Sequence, residues 1–228
     1  MPGGTLHELR LRLRPLVPAR YRHRLTRLVL RGAAVALRGR EVHCPCCGGD
    51  FRRFLTYPTA LCPRCGSYER QRLLCLYLDS HPELLTPATT VLHVAPEDCI
   101  RERILRSRPR EYLSIDLDYP EAMRLMDLTR LDLPDASFDV VLVSHVLDAV
   151  ADERAAIAEL YRVLAPGGAA IVQAPLHQRA VDEPRLVAAL TSAGFTVGVE
   201  SAPEQADEAA TAHLGLLADE RILLSRKI

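Results

Sequence analysis

Cys44-Pro45-Cys46-Cys47-Gly48 and Cys62-Pro63-Arg64-Cys65-Gly66 use one pattern, C-P-x-C-G, twice, with 14 residues between Cys47 and Cys62. Two such turns can bring four thiolates to one tetrahedral centre, and the glycines permit the tight turns whose amides hydrogen-bond the sulfurs. The chemistry expected is a structural Zn²⁺ held by Cys44, Cys47, Cys62 and Cys65. Cys46 takes the position that Arg64 holds in the second turn, so it is expected to point away from the metal. Four thiolates leave no open coordination position for water, and catalysis at this metal is not expected. The same spacing also admits a four-thiolate iron centre, a redox pair or simply reduced cysteines. Cys75 and Cys99 fit a helix face and a strand–helix junction as packed thiols.

The rest of the chain supplies the elements that must position any further chemistry. Its 228 residues carry 29 basic and 29 acidic side chains, and 48% are apolar. That composition implies a globular chain with a proper core and excludes bulk disorder. No run of about 18 apolar residues predicts a membrane span. Clustered cysteines without a secretion signal point to a reducing, cytoplasmic setting.

Four segments are expected: a basic helical segment over 1–42, a zinc ribbon over 43–66, a linking helix over 67–87 and an α/β domain over 88–228. The linking helix is predicted over Ser67–Leu85 with Ser67 as N-cap. Strands are predicted at Thr90–Val94, Tyr112–Ile115, Phe138–Ser144, Ala169–Ala174, Phe195–Glu200 and Arg221–Ser225. Helices are predicted at Asp152–Leu164, stopped by Pro166-Gly167-Gly168, and at Glu183–Ala193, closed by Gly194. Short apolar runs alternating with helical stretches imply a Rossmann-like open sheet.

Several segments are distinctive in order and spacing: Tyr112-Leu113-Ser114-Ile115-Asp116, Asp127-Leu128, Ser137-Phe138-Asp139-Val140-Val141, and Leu160-Tyr161-Arg162-Val163-Leu164-Ala165-Pro166-Gly167-Gly168. Together they resemble the class I S-adenosylmethionine-dependent methyltransferases. Val91-Leu92-His93-Val94-Ala95-Pro96-Glu97 is similar to the bacterial branch with a C-P-x-C-G zinc ribbon, where "LHxAPE" replaces the usual glycine loop.

The resemblance implies S-adenosylmethionine as cofactor and places His93, Ala95, Glu97, Asp116, Asp127, Leu128 and Ser144 around it. Asp116, ending the second strand, would accept the ribose hydroxyls. Asp127 and the Leu128 amide would read the adenine, and Glu97 would pair with the methionine ammonium. Loop carboxylates or helix caps are the plainer reading of Asp116 and Asp127. His145, with Asp148 one turn on, is the candidate general base for an oxygen acceptor; a hydrogen-bonded structural histidine fits the same position.

Three departures accompany the resemblance: the glycine loop is absent, His145-Val146-Leu147-Asp148-Ala149-Val150 lacks the branch's second histidine, and the segment after Pro175 is short. A methyltransferase acting on a small-molecule acceptor is expected. A non-catalytic scaffold and an RNA methyltransferase similar to the zinc-ribbon rRNA guanine enzymes are the alternatives.

Ten arginines lie between Arg10 and Arg40. A helix face of Leu25, Leu28, Val29, Ala33 and Leu37 flanked by arginines can contact RNA, a protein partner or a membrane surface, or pack on its own domain.

Overall fold

The computed structural model describes residues 19–56, 59–175, 183–201, 208–216 and 220–228. The chain falls into two units, Met1–Leu73 with Ala206–Leu217, and Leu74–Gln205 with Ala218–Ile228.

The first unit opens with helix α1 (Ala19–Ala36). Its inward stripe is Thr26, Leu30, Ala33 and Ala34, continued by Leu37 beyond the helix end, at helical spacing. Leu28 and Val29, on the apolar face read from the spacing, are 65% and 59% exposed and do not pack on this unit. The stripe is rotated because Leu30 is the residue that meets the second cysteine turn: its Cδ1 lies 3.2 Å from where a Cβ on Gly66 would stand.

Strands β1 (Arg38–Cys44) and β2 (Gly49–Phe51) form an antiparallel hairpin around the first turn, with Cys44 opposite Gly49. Two-residue strands β3 (Leu55–Thr56) and β4 (Ala60–Leu61) lead into the second turn. Helix α2 starts at Glu69 and ends at Ser80, shorter than expected at both ends. Ser67 is not its cap: its hydroxyl lies 3.2 Å from the sulfurs of Cys44 and Cys65. Gln71 accepts from the Tyr68 amide instead, at 2.5 Å. The helix stops before Pro82, which has no amide to continue it and opens a 3₁₀ turn, Pro82–Leu84.

Arg72, fully buried, closes the first unit. Its guanidinium donates to the carbonyls of Ala60 (3.0 Å), Ser67 (2.8 Å), Leu214 (2.9 Å) and Gly215 (2.5 Å). Gly215 has φ +58°, and a Cβ there would stand 2.5 Å from the Phe54 ring.

The second unit is built on one sheet. Its elements are β5 (Thr90–Val94), α3 (Asp98–Arg106), β6 (Glu111–Asp116), β7 (Arg124–Leu125), β8 (Phe138–Ser144), α4 (Glu153–Val163), β9 (Leu164–Pro175), α5 (Glu183–Ser192), β10 (Phe195–Ser201) and β11 (Glu220–Lys227). Helix α6 (Glu208–Leu214), between β10 and β11, belongs to the first unit.

The strand order is β10-β11-β9-β8-β5-β6-β7. Strands β9, β8, β5, β6 and β7 run parallel, and β11 runs antiparallel to both neighbours. As the apolar run predicted, β8 is buried at every position but Asp139, whose carboxylate accepts from the amide and hydroxyl of Thr90 at 2.7 Å.

Helix α4 is capped by Asp152, which accepts from the Ala155 amide at 2.9 Å, and buries Ala156, Ile157, Leu160 and Val163. The expected break at Pro166-Gly167-Gly168 falls inside β9 rather than before it. Gly167, at φ +78°, lets the strand bend there without leaving the sheet. The chain steps from β5 outward to β6 and β7, then returns to β8 and β9 on the other side. This reversal at β5 is where an open α/β sheet leaves a ligand crevice, at the carboxyl ends of β5 and β8.

Candidate functional site

Two non-glycine residues at that reversal hold left-handed backbone. Ala95 (φ +51°) follows β5 and His145 (φ +54°) follows β8. For L residues this costs about 1–2 kcal/mol each. Each is fixed by a hydrogen bond to the neighbouring strand, Ala95 N to Ile115 O at 2.8 Å and His145 N to Gln173 O at 2.9 Å. The backbone thus turns sharply at two adjacent strand ends.

Asp116 ends β6 half-buried. Its Oδ1 accepts from the amides of Asp118 and Tyr119, both at 3.0 Å, and its Oδ2 takes no hydrogen bond from the described residues. The carboxylate is therefore held by a turn and keeps one oxygen for a ligand hydroxyl. Asp127 is exposed; the amide and hydroxyl of Thr129, both at 2.8 Å, hold its carboxyl below the usual carboxylate range. Leu128 is buried in the core cluster. Glu97 precedes α3, half-buried.

At the end of β8, the Ser144 hydroxyl donates to Gln173 Oε1 at 3.0 Å. The His145 ring is 19% exposed, and its Nε2 lies 2.5 Å from Oε1 of Glu220, which is 2% exposed. The carboxylate that meets His145 is thus Glu220, at the start of β11, while Asp148 is exposed in the turn that follows. Glu220 and Gln173 carry no motif. They reach His145 because antiparallel β11 begins where β9 ends, with Glu220 opposite Pro175.

His93 is buried within β5, with Nδ1 3.1 Å from the Tyr112 hydroxyl and no hydrogen bond to Nε2 among the described residues. Burial, reinforced by the charge of Arg101, pulls the ring down to about 3. An unfolded histidine takes its proton near about 6.5. Above that value both states are neutral; below it only the unfolded chain binds the proton, so stability falls as pH drops from about 6.5 towards about 3. The expected loss approaches ~1.4 kcal/mol per pH unit. Urea midpoints measured between pH 7 and 4 should fall more steeply for the wild type than for His93→Gln; equal slopes would remove this role from His93.

In the first unit the sulfurs of Cys44, Cys47, Cys62 and Cys65 all lie within 4.8 Å of one another. Cys44 to Cys65 is 3.7 Å and Cys47 to Cys62 is 3.8 Å. A tetrahedron with zinc–sulfur bonds of about 2.3 Å has edges of about 3.8 Å, so this donor set fits the ion. Gly48 (φ +64°) and Gly66 (φ +72°) close the two turns, each amide donating to the carbonyl of Cys44 or Cys62. The Arg64 amide points at Cys62 Sγ at 3.4 Å. Mutual hydrogen bonds split the four thiols, with Cys44 and Cys62 pulled below the usual thiol range and Cys47 and Cys65 pushed above it. Cys46 is buried but is not one of the four. Cys75 and Cys99 are buried, as packed thiols would be.

Residues 85–172 match the family described as "Methyltransferase domain". A protein of Mycolicibacterium smegmatis described as a probable S-adenosylmethionine-dependent methyltransferase is 32% identical over 111 residues, 36% of this chain. The chain spans 43% of the length of that curated relative.

Among solved structures, an S-adenosylmethionine-dependent methyltransferase from Mesorhizobium loti superposes with TM-score 0.56 at 16% identity, over 68% of this chain and 98% of that one. The [4+2]-cyclase SpnF superposes at 0.55 and 16%, over 87% and 92%. The 1,6-didemethyltoxoflavin-N1-methyltransferase of Burkholderia thailandensis, solved with S-adenosylhomocysteine, superposes at 0.50 and 18%, over 64% and 74%. Residues 85–172 are thus similar to methyltransferase domains, and the sheet is the Rossmann-like α/β methyltransferase fold with a mainly parallel centre. That a cyclase shares the fold shows why the site, not the sheet, must carry the assignment of chemistry. No helix among the described residues is long and apolar enough to cross a membrane.

Proposed function

We propose that this chain is an S-adenosylmethionine-dependent methyltransferase acting on a small-molecule acceptor, with a structural zinc ribbon at Cys44, Cys47, Cys62 and Cys65. The observation that carries the reading is Asp116. It is a carboxylate at the carboxyl end of β6, beside the Ala95 turn, with one oxygen committed to its own loop and the other available to the two ribose hydroxyls. Ala95 and Glu97 would lie along the methionine part of the cofactor, and Asp127 with Leu128 along the adenine. Ser144 would border the same crevice, and His93, buried within β5, would act only from beneath it. The bound cofactor supplies a methyl group on a sulfonium centre, already activated for in-line displacement.

What the chain's own residues contribute is alignment and proton handling. An ionised Glu220 can only accept, so it favours the His145 tautomer with hydrogen on Nε2 and leaves the Nδ1 lone pair as base. His145 would take the proton of a hydroxyl acceptor, and its left-handed backbone holds the ring at the crevice. Asp148, exposed in the next turn, remains the second candidate for proton transfer. The clustered reduced cysteines support a cytoplasmic setting. The short segment after Pro175 and the arginines from Arg10 to Arg14 lie outside the described residues.

Calorimetric titration with S-adenosylhomocysteine tests the cofactor site: micromolar binding is expected, and the absence of heat and of any thermal shift would leave a non-catalytic scaffold. With an acceptor identified, His145→Ala should lower kcat by about 10²–10⁴ and leave S-adenosylhomocysteine affinity unchanged. An unchanged kcat would remove His145 from proton transfer.

A further inference from the structure

The formal net charge of zero hides a segregation of charge. Residues 1–73 hold 15 arginines against four acidic residues, while residues 74–228 hold 14 basic against 25 acidic. Within the first unit that excess borders a groove of about 880 Å³, lined among others by Arg38, Arg40, Arg64, Gly48, Gly49 and Asp50. All three arginines are exposed, and none forms an ion pair with a carboxylate of the described residues. The one acidic side chain in the lining, Asp50, already has a partner in His43 Nδ1, at 2.7 Å. Arg64 reaches only the Cys47 carbonyl, at 3.4 Å.

Three guanidiniums without ion pairs among the described residues, outnumbering the nearby carboxylates of Asp50 and Glu41, favour an anion with several oxygens on each charged centre. The planar guanidinium fork matches phosphate oxygens in pairs, which a point charge such as lysine does not. Phe51, the aromatic residue in the lining, is 4% exposed, so it offers no face on which a base could stack. Recognition here would fall on the backbone of a chain and not on its bases. The concavity suits a strand lying in it better than a flat lipid surface, although Val35 stands exposed at its rim.

We propose that this groove, at the first cysteine turn, binds the phosphodiester backbone of a nucleic acid without sequence preference, through Arg38, Arg40 and Arg64. The site lies wholly in the first unit and does not depend on the methyltransferase reading.

The test uses the full, zinc-loaded chain and a fluorescein-labelled single-stranded RNA of about 20 nucleotides, followed by anisotropy from 50 to 300 mM salt. Micromolar binding at low salt is expected, weakening linearly in log–log form by about 0.7 per phosphate neutralised. The variant carrying Arg38→Gln, Arg40→Gln and Arg64→Gln should bind at least about tenfold more weakly at 50 mM salt, with a slope shallower by about two. Arg124→Gln with Arg154→Gln, exposed arginines of the other unit, should leave both quantities unchanged. Zinc content and thermal midpoint of each variant exclude a folding effect. Unchanged affinity and slope in the triple variant would overturn the proposal. So would retention only by vesicles of anionic lipid, or binding of tripolyphosphate by a protein that does not bind the RNA.

Discussion

Replacing Cys44 by serine is expected to release the metal and unfold the ribbon, with zinc per chain falling from one towards zero. The basis is the closeness of the four sulfurs, all within 4.8 Å of one another and drawn two from each turn. The strands around them are two to seven residues long, too short to persist alone. A structural zinc contributes about 10–16 kcal/mol in small metal-dependent folds, which exceeds what such a segment can gain from burial. Cys46→Ser is the control, because Cys46 shares the turn and the burial but not the cluster. Its zinc content should stay at one per chain. Metal analysis after gel filtration, with limited proteolysis of residues 38–66, reads both variants; full zinc in Cys44→Ser would refute the assignment.

The second large effect is expected at Asp116. Charge-assisted hydrogen bonds contribute about 1.5–3 kcal/mol each, so removing the carboxylate that would hold two ribose hydroxyls should weaken S-adenosylhomocysteine binding by about 100-fold or more. Asp116→Ala also removes the acceptor for the amides of Asp118 and Tyr119, which could loosen the loop on its own account. Asp116→Asn separates the two effects. It keeps one carbonyl oxygen for those amides, so the thermal midpoint should hold while affinity drops by about tenfold. Wild-type affinity in both variants would remove Asp116 from the cofactor site, and the methyltransferase reading would lose the residue that carries it.

The sheet was legible where burial is continuous. β5 and β8 run between the predicted ends because a strand covered on both faces is an uninterrupted apolar run bounded by polar residues. Legibility failed where length or partners decide. β7 is two residues long, as are β3 and β4, and two residues carry no period. The packed face of α1 depended on which leucine meets Gly66, information that spacing within the helix does not contain. The candidate site divides in the same way. The cysteine quartet was visible because a repeated pattern states its own geometry. Glu220 was not, because a carboxylate opening the last strand gains its place only once β11 is known to pair with β9 in reverse. Ser67 illustrates the converse, a good helix cap by type that the neighbouring sulfurs claim instead.

Arg72 bears on what can be transplanted. Its acceptors at Leu214 and Gly215 lie 142 and 143 positions away in the chain, yet they share its unit. A graft of residues 1–73 onto a foreign protein would carry the buried guanidinium without those carbonyls, a deficit of about 3–5 kcal/mol in other buried charges stripped of a partner. The cysteine-bearing unit is therefore not self-contained within residues 1–73. It is a clasp whose two halves lie more than 140 positions apart in the chain, and any recombination that keeps one half must keep the other.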